Sequence, residues 1–129
     1  MIAIDTNIII RYLTGDDPDQ ASRARTIIDG QMVFVTVTIL LEVEWVLRGA
    51  YEYACADIIR GLRALGGLPT VTIEDADAVA AALDLSEQGM DFADALHLTR
   101  ASHCDGFVTF DRKFVRTARA AGFETIREA

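Results

Sequence analysis

Residues 1–7 read Met-Ile-Ala-Ile-Asp-Thr-Asn, and this opening decides how the rest of the chain is read. An apolar run from Ile2 to Ile4 stops at Asp5, and the small polar pair Thr6 and Asn7 precedes a second run, Ile8 to Ile10. That pattern predicts a buried strand ending in a carboxylate, with a helix beginning near Thr6. Open α/β sheets bind ligands just beyond the carboxyl ends of their strands, so an acid placed there stands where a site forms. Asp is also a favoured N-cap. Two readings of Asp5, helix cap and reacting carboxylate, are open at this point.

The helix after Asp5 carries Ile8, Ile9, Ile10, Tyr12 and Leu13 and ends at Gly15. Asp17 and Pro18 read as the N-cap and first residue of a second helix, which runs to about Ile28 and stops at Gly30. Met32 to Val37, rich in β-branched residues, predicts a second buried strand. The next helix, about Thr38 to Arg48, is apolar around most of its circumference and leaves two polar gaps. Glu44 stands four residues before Arg48, the favourable order for an ion pair on a solvated helix face. Glu42 is flanked on the helical wheel by Trp45 and Val46 and has no basic residue three or four positions away. An unpaired carboxylate among apolar neighbours is costly, so Glu42 reads as a ligand for something outside its own helix.

Tyr51 to Leu65 predicts an amphipathic helix with Cys55, Ile58, Ile59, Leu62 and Leu65 inward. Leu68 to Ile73 follows as a third strand, at an edge because Pro69 donates no ladder hydrogen bond. An alanine-rich helix opens at Glu74 or Asp75 and runs to about Glu87. Asp91 fits the N-cap of the next helix. Asp94 differs, because it shares a stripe with His97, Leu98 and Ala101 and so points towards the core. His97 reads as a packed, hydrogen-bonded histidine, since no second ligand stands at metal-binding spacing from it. Gly106 to Phe110 predicts a fourth strand, which ends in Asp111 and repeats the opening pattern. Arg112, Arg116 and Arg119 fall on one face of the following helix, either a solvated face or an edge that contacts phosphate. Gly122 ends that helix, and Phe123 to Ile126 supplies a short last strand.

A chain of 129 residues fits a single domain with a self-sufficient core. Only one residue precedes the first strand, so no cleaved leader is expected. The longest apolar stretch, Met32 to Leu41, is interrupted by Thr36 and Thr38 and falls short of the roughly 20 residues that span a bilayer. A soluble, cytoplasmic protein is the expectation, with Cys55 and Cys104 free and buried. The net charge of -8 excludes a surface that grips nucleic acid by bulk positive charge. Any polyanion must be met locally. Lys113 is the one lysine among the 12 basic residues, and arginine suits bidentate contact with phosphate or carboxylate, although genome composition gives the same bias.

Strands alternating with helices imply right-handed crossovers and an α/β fold, a parallel sheet of about five strands flanked by about seven helices. In that topology Asp5 and Asp111 share the carboxyl edge of the sheet, and Glu42 and Asp94, each early in an inward-facing helix, can converge on it. Four carboxylates brought together repel, and a divalent cation resolves the repulsion. Oxygen-only ligation suits Mg²⁺ or Mn²⁺ rather than zinc. One such ion, or a pair roughly 3.5 to 4 Å apart, supports in-line displacement at phosphorus, so the reaction class is phosphodiester hydrolysis.

Four stretches carry a family resemblance: Ile-Asp-Thr-Asn at 4–7, Thr-Ile-Leu-Leu-Glu-Val-Glu-Trp-Val-Leu at 38–47, Asp-Phe-Ala-Asp-Ala-Leu-His-Leu at 91–98, and Val-Thr-Phe-Asp-Arg-Lys-Phe at 108–114. In order and spacing they resemble the four acidic motifs of PIN-domain ribonucleases, most closely the VapC toxin branch, over the whole chain. The resemblance implies a single PIN-like domain over 1–129 and Mg²⁺-dependent endoribonuclease activity on structured RNA, as the toxin of a type II toxin-antitoxin pair. It also implies a homodimer and a small VapB-type antitoxin whose tail blocks the site, often with an arginine. By similarity Asp5, Glu42, Asp94 and Asp111 are the metal-binding acids, with Asn7 and Thr109 as polar supports and Asp111 able to act through water. The alternative from another class is a non-catalytic acidic module that docks an arginine-bearing partner. A phosphoacceptor receiver domain would need an adjacent acidic pair at the first strand, and a haloacid-dehalogenase-type phosphatase an Asp-x-Asp there. This chain has Asp5-Thr6-Asn7.

Overall fold

A computed structural model describes residues 1–129. Its elements run β1 (Ile2–Ala3), α1 (Thr6–Thr14), α2 (Pro18–Gly30), β2 (Val33–Val35), α3 (Val37–Gly49), α4 (Cys55–Gly66), β3 (Val71–Ile73), α5 (Ala76–Glu87), α6 (Phe92–Arg100), β4 (Phe107–Thr109), α7 (Arg112–Ala120) and β5 (Ile126–Glu128). The class is α/β, as the alternation of patterns predicts, and every strand pairing is parallel. The five strands form two sheets instead of one, with orders β1-β2-β3 and β4-β5. At two or three residues each strand lies at or below the short end for globular proteins, and its ladder holds only two or three residue pairs. The chain comprises two compact units, Met1–Ala76 and Asp77–Ala129.

In the first unit β2 is central, with Val33 opposite both Ile2 and Val71. Parallel pairing turns the ends of β1 and β2 the same way, so α1 and α3 start from one edge of this sheet. Each start is capped locally. Asp5 accepts a hydrogen bond from the Thr6 amide, Asp17 from Gln20 and Thr36 from Ile39. Thr36 as cap brings the start of α3 forward to Val37. The Glu74 carboxylate, just beyond β3, accepts the Val37 amide at 2.9 Å. Packed beneath are side chains with almost no exposure, among them Ile9, Ile10, Ile28, Val33, Leu40 and Leu47.

The helix expected from Tyr51 begins instead at Cys55. The amides of Tyr51 and Tyr53 bond back to the Val46 and Leu47 carbonyls at the end of α3, and Glu52 takes a left-handed φ of 55°. The Tyr51 hydroxyl donates to Asp16 at 2.6 Å, and Arg11 Nη1 donates to both Asp16 and the Tyr51 oxygen at 2.9 Å. Hydrogen bonds from Tyr51 and Thr14 hold the Asp16 carboxyl below the usual carboxylate range. With α4 starting late, Cys55 sits in its first turn and is exposed, as is Cys104. Neither cysteine forms a disulfide, as expected, but neither is buried.

In the second unit Phe107 pairs with Ile126, which is fully buried. Phe92, Ala95 and Leu96 face inward from α6, and the Thr99 hydroxyl donates to the Ala78 carbonyl at 3.0 Å. His97 is exposed, not packed, although Leu96 and Leu98 on either side of it are buried together with Phe92, Ala95 and Thr99.

Candidate functional site

Asp5 leaves β1 with extended backbone and caps α1, its Oδ1 accepting the Thr6 amide at 2.8 Å. The cap uses one carboxylate oxygen. The side chain is otherwise exposed, and Oδ2 has no donor from the protein. Thr6 beside it is only 3% exposed, and its hydroxyl has no hydrogen-bond partner. A buried hydroxyl without a partner costs stability, and such groups concentrate where structure serves something other than stability. Asn7, the next residue, is exposed. Sequence reading passed over Thr6, because burial of a threonine in a first helical turn has no local signature.

Glu42 lies on the second turn of α3 and is exposed, with no hydrogen bond or ion pair. Trp45, expected to be an apolar neighbour in the interior, is 66% exposed. The buried stripe of α3 is Val37, Leu40, Val43 and Leu47, which turns the Glu42–Trp45 side to solvent. Solvent therefore removes the burial cost on which the ligand reading of Glu42 rests. Glu44 is the opposite case. Its side chain is 12% exposed beneath Arg48, whose Nε reaches Oε1 at 2.8 Å and Nη2 reaches Oε2 at 3.3 Å, so the pair is half-covered and not an ordinary solvated one.

The second unit holds the other two acids. Asp91 caps α6, accepting the Asp94 amide at 3.1 Å. Asp94 itself is half-buried and its carboxylate accepts no hydrogen bond. Burial pushes the Asp94 carboxyl above its ordinary range, and the charges of Asp91 and Asp111 push it further, against a smaller opposing effect of His97. Asp111 caps α7 through Oδ1 and the Phe114 amide at 3.0 Å, and its own amide donates to the Thr109 hydroxyl at 3.1 Å. Of the arginines on α7, Arg112 is taken by Glu128 at 3.0 Å and Arg119 by the Ile126 carbonyl at 3.1 Å. Arg116 is exposed and without an internal partner.

A capping carboxylate spends one oxygen on an amide and keeps the other free, so Asp5 and Asp111 each offer a hard oxygen donor. Asp94 offers two, under repulsion from Asp91 and Asp111 that a cation would relieve. Oxygen donors of this kind, taken singly, suit a divalent ion of the Mg²⁺ or Mn²⁺ type. No three or more His, Cys, Asp or Glu side chains form a group that could hold a metal ion.

The raised Asp94 carboxyl makes a stability prediction. The folded chain holds that proton more tightly than the unfolded chain, so ionised Asp94 costs stability at neutral pH, and the cost disappears below the unfolded value of about 3.9. In chelator, Asp94→Asn is expected to melt about 2 °C higher at pH 7, the scale of one like-charge helical pair, and to match the wild type near pH 3. Thermal melts across that range check it, and a lower melting temperature at pH 7 would contradict the repulsion.

The PIN domain family model matches residues 2–120. No curated protein matches. Among solved structures, the chain is similar to the crystal structure of Mycobacterium tuberculosis VapC20, a Sarcin-Ricin loop cleaving toxin, with 18% sequence identity over 98% of this chain and 99% of that one and a TM-score of 0.44. At that identity and score the likeness assigns no substrate. The family match spans nearly the whole chain and takes in all four acids, and on that ground this protein belongs to the PIN domain family, whose members are generally nucleases using divalent metal ions.

Proposed function

We propose that this chain is an endoribonuclease dependent on Mg²⁺, with Mn²⁺ able to substitute, and the toxin of a type II toxin-antitoxin pair. Asp5, Glu42, Asp94 and Asp111 supply the carboxylate oxygens, and Asn7 and Thr109 support them. The observation that carries the reading is Asp94, a half-buried carboxylate without a hydrogen-bond donor, set against the charges of Asp91 and Asp111. A bound divalent ion would supply water activation and stabilisation of charge at phosphorus. The chain's own residues do the positioning. The Thr6 and Phe114 amides orient Asp5 and Asp111, and the Thr109 hydroxyl holds the turn into α7.

The reading includes a homodimer, a cytoplasmic setting and a VapB-type antitoxin, as the family resemblance implies. No helix is long and apolar enough to cross a membrane. A net charge of -8 suits a basic antitoxin segment, whose binding should weaken as salt rises. The same charge, with Asp5, Glu42 and Asp111 exposed, favours the second reading, an acidic module that only docks an arginine-bearing partner.

Cleavage of a mixed pool of structured RNA by the purified, partner-free protein separates the two. The nuclease cuts in Mg²⁺ and stops in chelator. A folded protein that binds a basic partner equally well with or without metal, and cuts nothing, is the docking module.

A further inference from the structure

A cavity of about 190 Å³ lies between α1 and α2, lined by Asn7, Ile8, Arg11, Gln20, Arg23 and Ile27. The spacing of these residues shows how it is built. Asn7, Ile8 and Arg11 share one face of α1, and Gln20, Arg23 and Ile27 share one face of α2. The space is below the roughly 300 to 1,000 Å³ of a drug-sized ligand's pocket and on the scale of a small anion such as a phosphate group.

We propose that this cavity is a subsite for a backbone phosphate of the RNA substrate, next to the phosphodiester that is cut. The proposal rests on the ribonuclease reading for its substrate class. Two arginines face one small cavity in a chain of net charge -8, and they differ in preparation. Arg11 is held: Nε donates to Gln20 Oε1 at 2.7 Å, and Nη1 donates to Asp16 and to the Tyr51 oxygen. None of those bonds uses Nη2, which remains as an oriented donor on a guanidinium that loses little freedom when it binds. Arg23 has a single contact, Nη1 to Asp19 at 3.3 Å, between side chains 73% and 78% exposed. Solvent screens such a pair, and a phosphate oxygen can take its place. Ile8 and Ile27 give apolar walls for a ribose face, and the Asn7 carboxamide adds a donor.

Position ties the cavity to the chemistry. Asn7, which lines the cavity, follows Asp5 by two residues in the first turn of α1, so the α1 wall of the cavity begins beside the Asp5 cap. The α7 stripe is a poorer candidate for this contact, because Arg112 and Arg119 are already engaged.

The test titrates the intact protein, in EDTA so that nothing is cut, with an RNA stem-loop and separately with inorganic phosphate. Backbone amide shifts are read, and cleavage kinetics are then measured in Mg²⁺. RNA is expected to move the amides of Asn7, Gln20 and Arg23 at concentrations where phosphate moves none. Arg23→Glu should weaken RNA binding about tenfold, raise KM more than it lowers kcat, and reduce the slope of log affinity against log salt by roughly one. Arg23→Lys, which keeps the charge and loses the fork, should recover part of the affinity. The exposure of Arg23 keeps both changes clear of the core. RNA cutting with unmoved amides and an unchanged KM in Arg23→Glu overturns the subsite and leaves the nuclease standing. RNA that shifts these amides but is never cut leaves an RNA-binding cavity, removes the nuclease reading and with it overturns the cavity's place beside a cut phosphodiester. Equal response to phosphate and RNA means an adventitious ion only, and overturns the proposal.

Discussion

Asp5→Asn protein is expected to cut structured RNA on the order of a hundredfold or more slowly than the wild type in Mg²⁺, the size of loss met when a group stabilising transition-state charge is removed. Its melting temperature should not move. The Asp5 carboxylate has two tasks, accepting the Thr6 amide through Oδ1 and offering Oδ2 outward, and a carboxamide oxygen performs the first as well as a carboxylate does. Asp5→Ala loses both, and should add a stability cost of about 1 kcal/mol to the lost activity. Single-turnover cleavage and thermal melts on the two variants separate cap from chemistry. Wild-type cleavage by Asp5→Asn would remove Asp5 from the reaction. Asp94→Asn sharpens the contrast, since a gain in stability together with a loss of cleavage is an outcome that damage to the fold does not produce.

The largest expected loss of stability is at Ile9. Its side chain has 0% exposure on α1, whereas Ile8 is only half-buried and lines the cavity beside α2. Truncation of a buried isoleucine removes transfer energy and leaves a void, so Ile9→Ala should cost about 3 kcal/mol, within a usual range of roughly 2 to 5. Ile9→Val, which deletes a single methyl, should cost about 1 kcal/mol. Ile8→Ala should cost less than Ile9→Ala. Urea unfolding gives all three from the midpoints, provided the slope stays constant. Equal losses at positions 8 and 9 would mean that the inward face of α1 is assigned wrongly. Native domains hold only about 5–15 kcal/mol of stability, so the Ile9→Ala protein would populate its unfolded state measurably at body temperature.

Helix starts were legible where an aspartate caps them locally, whereas the local cap Thr36 was hidden inside the β-branched run Met32 to Val37. Asp5, Asp17, Asp91 and Asp111 each precede an apolar-periodic run, and each accepts an amide one to three residues on. Caps and tethers that come from a distance were not legible. Glu74 reaches the start of α3 from 37 positions away, and Tyr51 is drawn to Asp16 from 35 positions away, which is why α4 opens at Cys55 and not at Tyr51.

The acids of the candidate site were chosen by their places at strand ends and on helices, and their surroundings were read less well. An apolar arc covering most of a helical wheel does not say which part faces inward. α3 turns Trp45 and Glu42 to solvent and leaves Glu44 half-covered, the reverse of the reading from the pattern. On α6 the same difficulty put His97 inside, where it is exposed, and put Asp94 on the core-facing stripe, where it is only half-buried. The division of five strands into two sheets also lay beyond the pattern, because alternation of strand and helix predicts the direction of pairing and not how far a ladder of two- and three-residue strands continues.

The capping acids have a further consequence, for entropy. Asp5 and Asp111 are each tied by one oxygen to a helix amide, so most of their rotational freedom is already spent in folding. Taking a ligand on the remaining oxygen then orders very little. A free side chain that must be fixed gives up on the order of 1 kcal/mol. Glu42, longer and untethered, and Asp94, with no donor to its carboxylate, are the two acids on which the ordering cost of a bound ion would fall.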